Sequence, residues 1–384
     1  MRVGAMVSQL VEGCGRNVHR SRLAALPKIV EGIVRAGRLV PASIGRNLPG
    51  TARPKHGIKC VDRLLGSAHL RRELLYVYCA IAHHLLYECK QPLVLVDWTQ
   101  VTGDHQALVA AVPIGGRALP IYAEVHPLKK LGNGAVEKRF LCSLKAILPT
   151  GCRPVVVTDA GFKGPFFQAV REQQWDFLGR LRGTTTAIAP DGRPWSKDAL
   201  YSRAAIAAKD LGPFELFTKQ RIPARLVLVR KRRKSGRRPP PPGNLEEREM
   251  RKAARDPWLL ATSVAEGDAD YVVSLYAKRM QIEETFRDAK NHRFGWSLRD
   301  VRTSNRHRAA VLLMLATLAL LAVTLIGLSA EQRGLHRAYQ ANTLKRRVLS
   351  FFVLACTILR RGDPLLDPDA FSAALTLIPR LARA

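Results

Sequence analysis

Two short apolar runs limit what this chain can fold into. LVLVD at 93–97 and RPVVVTD at 153–159 each contain an unbroken aliphatic stretch that stops at an aspartate. Runs of this length without polar alternation are the form of strands buried on both faces, and such strands need other elements packed over them. Between them, HQALVAAVPI (105–114) and RALPIYAEV (117–125) read as strands joined by Gly115-Gly116, a two-residue hairpin signal. AVEKRFLCSLKAIL (135–148) and GPFFQAVREQQ (164–174) have helical periodicity, and WDFLGRLR (175–182) reads as a fifth strand.

The resulting order is a three-strand meander, helix, strand, helix, strand. That is the plan of an α/β, ribonuclease-H-like mixed sheet, in which acids at strand ends gather along one edge. The rest of the chain is organised around it. Residues 1–90 read as a helical domain, with RLAALPKIVEGIVRAG (22–37) and IKCVDRLLGSAHLRRELLYVYCAIAHHLL (58–86) separated by a polar connection at 41–57. Arg46, Arg53, Lys55, Lys59 and Arg63 cluster around that connection, which suits either a DNA-binding domain or a solvated basic loop. Residues 91–182 form the first part of the sheet domain and 258–300, starting with the strand WLLATS (258–263), the second. The insertion subdomain at 183–257 has short β-like pieces and then RKRRKSGRR (230–238) and four prolines. Those require an exposed loop, either a linker or a phosphate contact. Residues 301–384 read as a helical C-terminal region, a candidate for dimerisation.

Within that region, AAVLLMLATLALLAVTLIGL (309–328) is uncharged for twenty residues and long enough to cross a bilayer. Its flanks carry Arg302, Arg306, Arg308, Glu331 and Arg333 with no aromatic belt, so a buried core or subunit-interface helix is expected and a membrane partner is not. The formal charge is +31, from 62 Lys and Arg against 31 Asp and Glu. That excess calls for a polyanionic partner, and nucleic acid fits basic residues spread through folded segments. Seven cysteines with no CxxC pair, and ten histidines with no HExxH or zinc spacing, point to reduced structural thiols in the cytoplasm. The N-terminal MRVGAMVSQLVEGCGR has no apolar signal core.

YVVSLYAKRMQIEETFRDAK at 271–290 reads as a single helix. At about 100° and 1.5 Å per residue, Tyr276, Arg279, Glu283 and Lys290 share an arc of about 60° over roughly 21 Å. Leu275, Ile282, Phe286 and Ala289 form an apolar stripe beside it. Considered alone, the polar row is either a solvated ion-pair face or a carboxylate set among phosphate-binding groups. Asp97 and Asp159 change the balance. Three carboxylates brought to one edge repel each other, and Mg²⁺, which takes hard oxygen ligands, relieves that repulsion.

The residues that carry a family resemblance are HGIKCVDRLLGSAHL (56–70), LVDW (95–98), DAGFK (159–163), YAKRMQIEETFRD (276–288) and YQANT (339–343). With the spacing Tyr-x2-Arg-x3-Glu-x6-Lys, the chain resembles the cut-and-paste DDE transposases of bacterial insertion sequences, family four, in the subgroup of insertion sequence ten. The resemblance implies that Asp97, Asp159 and Glu283 hold two Mg²⁺ ions, or Mn²⁺ in their place. It also implies that Tyr276, Arg279 and Lys290 hold DNA phosphates. Trp258 matches the family tryptophan on which a flipped base stacks, and Met280 stands where another branch has a second tryptophan. The implied activity is end nicking, hairpin formation, hairpin hydrolysis and strand transfer. The implied partners are double-stranded DNA, as inverted-repeat ends and target, and a second copy of the chain on paired ends in the bacterial nucleoid. A ribonuclease-H-like nuclease or resolvase without strand transfer would share the triad, and a non-catalytic DNA-binding descendant would share the charge.

Overall fold

The computed structural model describes residues 3–183, 185–218, 221–231, 243–245, 248, 255–293, 295–341, 343–362 and 367–383. Most of the basic, proline-rich loop expected at 230–243 lies outside the described residues, as does Asn342 of the YQANT segment. The chain divides into two compact units, Met1–Pro154 with Met280–Ala384, and Val155–Arg279. Both mix helices with mostly antiparallel strands.

In the first unit, β1 (Leu93–Thr102), β2 (His105–Ile114) and β3 (Arg117–Pro127) form an antiparallel meander. Gly115 and Gly116 turn the second hairpin with φ of 56° and 99°, backbone that residues with a Cβ rarely adopt. Among the described residues five α-helices precede the meander: α1 (Val3–Val11), α2 (Arg20–Ala36), α3 (Pro41–Arg46), α4 (Pro54–Leu65) and α5 (Ala68–Leu86). The polar connection expected at 41–57 is therefore partly helical. Pro41 and Pro54 each occupy a first helical turn, where a missing N–H costs nothing. α6 (Gly134–Ile147) follows β3 and is capped by Asn133, whose Oδ1 accepts from Val136 N at 3.1 Å.

The apolar run expected to be buried lies within a 27-residue helix, Arg306–Gln332. By length and composition this helix could cross a membrane, yet 89% of its most apolar window is buried inside the protein. It packs against α2, α5, β3 and the two closing helices, Phe351–Arg361 and Pro368–Leu381.

In the second unit, β4 (Val155–Thr158) and β5 (Asp176–Arg180) run parallel, joined by α7 (Gly164–Glu172). Gly179 on β5 is needed because a Cβ there would lie 2.4 Å from the Phe167 ring of α7. β10 (Trp258–Thr262) pairs antiparallel with β5 and, on its other side, with β9 (Ile222–Val229). β8 (Lys209–Leu216) and the short β6 (Ala187–Ile188) and β7 (Pro194–Trp195) complete the order β4-β5-β10-β9-β8-β6-β7.

Two expectations about local structure need correction. β1 does not end at Asp97. Its ladder continues through Thr99 to Thr102, because the β-branched residues that follow the acid keep pairing with β2, and Asp97 sits opposite Val109. The helix expected over 271–290 is two helices, Ala269–Ala277 and Met280–Lys290. Lys278 N and Arg279 N donate to Leu275 O and Tyr276 O, three residues back instead of four, so the 100° periodicity that aligned the polar row does not run through the break. Neither Gly nor Pro marks it in the sequence.

Candidate active site

The expected site residues fall into two groups, one in each unit. Asp97, Glu283, Lys290 and Met280 belong to the first. Asp159, Tyr276, Arg279 and Trp258 belong to the second.

The helix Met280–Lys290 is bolted to the tip of the β2–β3 hairpin. Thr285 Oγ1, 4% exposed, accepts from Ala118 N at 2.8 Å and donates to Ala118 O at 2.9 Å. Arg117 Nε donates to Asp288 Oδ2 at 2.6 Å, and Gly116 N donates to Gln281 Oε1 at 3.3 Å. Ile282 is fully buried on the same helix. These contacts fix the axial position of Glu283, which turns into a cavity of about 630 Å³ shared with Asp97, Thr99, Lys290 and Arg299.

Asp97 and Thr99 are two apart on β1 and both line this cavity. Lys290 Nζ donates to Thr99 Oγ1 at 2.7 Å. Burial and then Arg299 pull the Lys290 ammonium below its ordinary value, and Asp97 opposes them. The next side chain on β1, Trp98, donates Nε1–H to Glu137 Oε1 of α6 at 3.0 Å, which anchors the strand beside Asp97. Two half-buried carboxylates, the Lys290 ammonium and the guanidiniums of Arg287, Arg293 and Arg299 thus line one hollow. Met280, 39% exposed, opens the helix.

In the second unit, Asp159 directly follows β4, and its Oδ1 accepts from Gly161 N at 2.8 Å. Its charge is felt by Tyr276: burial pushes the phenol above its ordinary value, Arg279 and Arg180 pull it down, and Asp159 adds to the rise. Trp258 and Tyr276 meet edge to face, ring centroids 4.7 Å apart at 80°. Lys231 Nζ lies 3.6 Å from the Trp258 ring centroid, and the indole is 7% exposed. Lys231 belongs to the start of the basic run.

Two arginines of this unit escaped the sequence reading. Arg180, 8% exposed, donates Nη2 to Asp256 O at 3.0 Å and to Pro257 O at 3.3 Å, and among the described residues its buried Nε has no hydrogen-bond partner. Its guanidinium is pulled below the ordinary value first by burial and then by Arg182. The sequence signal is FLGRLR, which puts one arginine at the end of the apolar strand β5 and a second two residues later, just past it.

Among the described residues, no three or more His, Cys, Asp and Glu side chains are gathered closely enough to hold a metal ion. The donor set present in the first unit is the pair Asp97 and Glu283. One or two carboxylates completed by water and substrate phosphates is the usual way proteins hold Mg²⁺, so the pair fits that ion.

The first unit thus sets a strand-borne acid and a helix-borne acid beside basic side chains in one cavity of an α/β scaffold. A family model described as the transposase DDE domain matches residues 88–321, more than half of the chain, and the chain belongs to that family. No curated protein matches it.

Proposed function

We propose that this chain is a cut-and-paste DNA transposase of a bacterial insertion sequence, with a ribonuclease-H-like catalytic core and Asp97, Asp159 and Glu283 as its acid triad. The observation that carries the proposal is the shared cavity of Asp97 and Glu283, lined by Lys290 and Arg299, inside a transposase DDE domain. The three carboxylates would hold Mg²⁺, or Mn²⁺, which supplies an activated water and neutralises charge on the leaving oxygen. Lys290 and Arg299 bind and orient the phosphodiester at the acids. Arg279, with a forked guanidinium, grips a phosphate in two places, whereas Lys290 offers a point charge.

The reaction sequence is nicking, attack of the freed 3′-OH on the opposite strand to give a hairpin, hairpin hydrolysis, and strand transfer into target DNA. A second copy of the chain pairs the two ends. The burial of the helix Arg306–Gln332 supports a core helix over a membrane span; the proposed place of action is the bacterial cytoplasm, at the nucleoid.

The test is to incubate purified protein and Mg²⁺ with DNA carrying the repeats that flank its gene. Excised element with hairpin ends is expected, and specific binding without any cleavage would favour the non-catalytic descendant. Lys290→Ala should lower the slope of log K against log salt by about 1, and an unchanged slope would remove its phosphate role.

For Trp258→Ala, hairpin formation should fall more than first-strand nicking. Stacking of a base requires Lys231 to leave the indole face it now covers, so Lys231→Ala should speed hairpin formation. Equal loss of both steps in Trp258→Ala would reject the stacking role.

A further inference from the structure

The first unit contains a second cavity, of about 540 Å³, which neither the sequence motifs nor the family match assigns. Its charged lining is Arg35, Arg38, Arg293, Arg360 and Glu31, and its apolar floor includes Trp296 and Phe352. Arg35 pairs with Glu31. Among the described residues no carboxylate pairs with Arg38, Arg293 or Arg360, and all three are exposed. The hollow thus carries four guanidiniums against one carboxylate, and among the described residues three of the four have no ion-pair partner.

Helix dipoles account for part of this arrangement. Arg35 lies in the last turn of α2, Arg38 just beyond it, and Arg360 in the last turn of Phe351–Arg361, where cations are favourable. Dipoles do not account for two helix ends and a non-helical turn converging on one cavity. Arg293 belongs to that turn, which follows Met280–Lys290 and is tightly built. Trp296 N donates to Asp288 O at 3.0 Å, Leu39 N donates to Trp296 O at 2.8 Å, and a Cβ on Gly295 would lie 1.8 Å from Asp288 O. The turn sets His292 and Arg293 in the lining of both this cavity and the one holding Asp97 and Glu283. The two hollows are therefore adjoining, with Arg293 on the ridge between them.

We infer that this arginine cavity seats a backbone phosphate of the DNA strand whose neighbouring phosphodiester lies at Asp97 and Glu283. Guanidiniums are the side chains suited to gripping a phosphate at two points. The inference rests on the DNA-acting reading of the acid cavity.

The test measures duplex binding against salt, by fluorescence anisotropy, for the full-length protein and for Arg293→Ala, Arg360→Ala and the double variant, all in the Glu283→Gln background so that no strand is cut. One phosphate held by both arginines predicts about tenfold weaker binding in the double variant at 0.15 M salt, and a salt slope lower by about 1. Thermal melting of the variants should match the parent, since both side chains are exposed. An unchanged slope in the double variant overturns the inference, as does a slope lower by about 2, which would mean two independent surface contacts. Inorganic phosphate added at constant ionic strength should compete less well against the double variant than against the parent, and equal competition would also overturn it. Should the DNA-acting reading of the acid cavity itself be wrong, the protein with Glu283 intact would bind duplex yet cut no strand in Mg²⁺, a result separate from all of these.

Discussion

Glu283→Gln should reduce strand cleavage by at least about a thousandfold while leaving DNA binding within a few fold of the parent. The substitution keeps the side-chain volume, removes the charge and turns one accepting oxygen into a donating NH₂. Glu283 is half-buried and faces the cavity it shares with Asp97, whereas its helix is held by other residues: Thr285 on Ala118, Asp288 on Arg117, and buried Ile282. Loss of activity would therefore not come from loss of the helix. A gel assay of nicked and hairpin products, run beside anisotropy on the same end fragment, separates chemistry from binding. Undiminished cleavage would sink the assignment of Glu283 to the triad. Parallel loss of cleavage and binding would instead give it a place in DNA recognition.

The largest expected effect on stability is in the helix Arg306–Gln332. Leu318 is completely buried there, and Leu318→Ala should cost about 2–5 kcal/mol, the range for a leucine truncation that leaves a core cavity. Gly327→Ala tests the opposite kind of fit. Its Cβ would lie 2.4 Å from Phe351 O and 2.7 Å from Phe351 Cα, and backbone atoms cannot swing aside as a side-chain tip can. About 1–3 kcal/mol should be lost by overpacking. Melting followed by circular dichroism checks both. An unshifted transition for Leu318→Ala would mean that the helix does not form part of the core.

The strands and the second hairpin of the meander were legible because their signals are local. LVLV, VVVT and the Gly115-Gly116 turn state their own geometry, and the α/β order followed from the alternation of strand and helix patterns. The two acids on β1 and on Met280–Lys290 were likewise readable, since a lone carboxylate at the end of an aliphatic run or in a basic helical row is chemically conspicuous. What stayed hidden depends on non-local contacts. The break at Lys278-Arg279 carries no Gly or Pro and appears only as a pair of three-residue hydrogen bonds. The continuation of β1 beyond Asp97 is decided by its partner strand, and the burial of Trp258 by Lys231 and Tyr276. The arginine cavity joins residues from 35 to 360, which no window along the sequence could bring together.

The short turn at Lys278-Arg279 also bears on how the protein would come apart. It divides consecutive residues between two compact units, so the amides of Ala269–Ala277 and those of Met280–Lys290 should exchange with solvent deuterium through separate openings. A DNA fragment gripped first through Tyr276 and Arg279 would slow isotope uptake in the former segment before the latter. The reverse order would mark Glu283 and Lys290 as the point of first engagement. Contiguous in sequence, the two halves of this motif can in this way act as independent clocks on the same encounter.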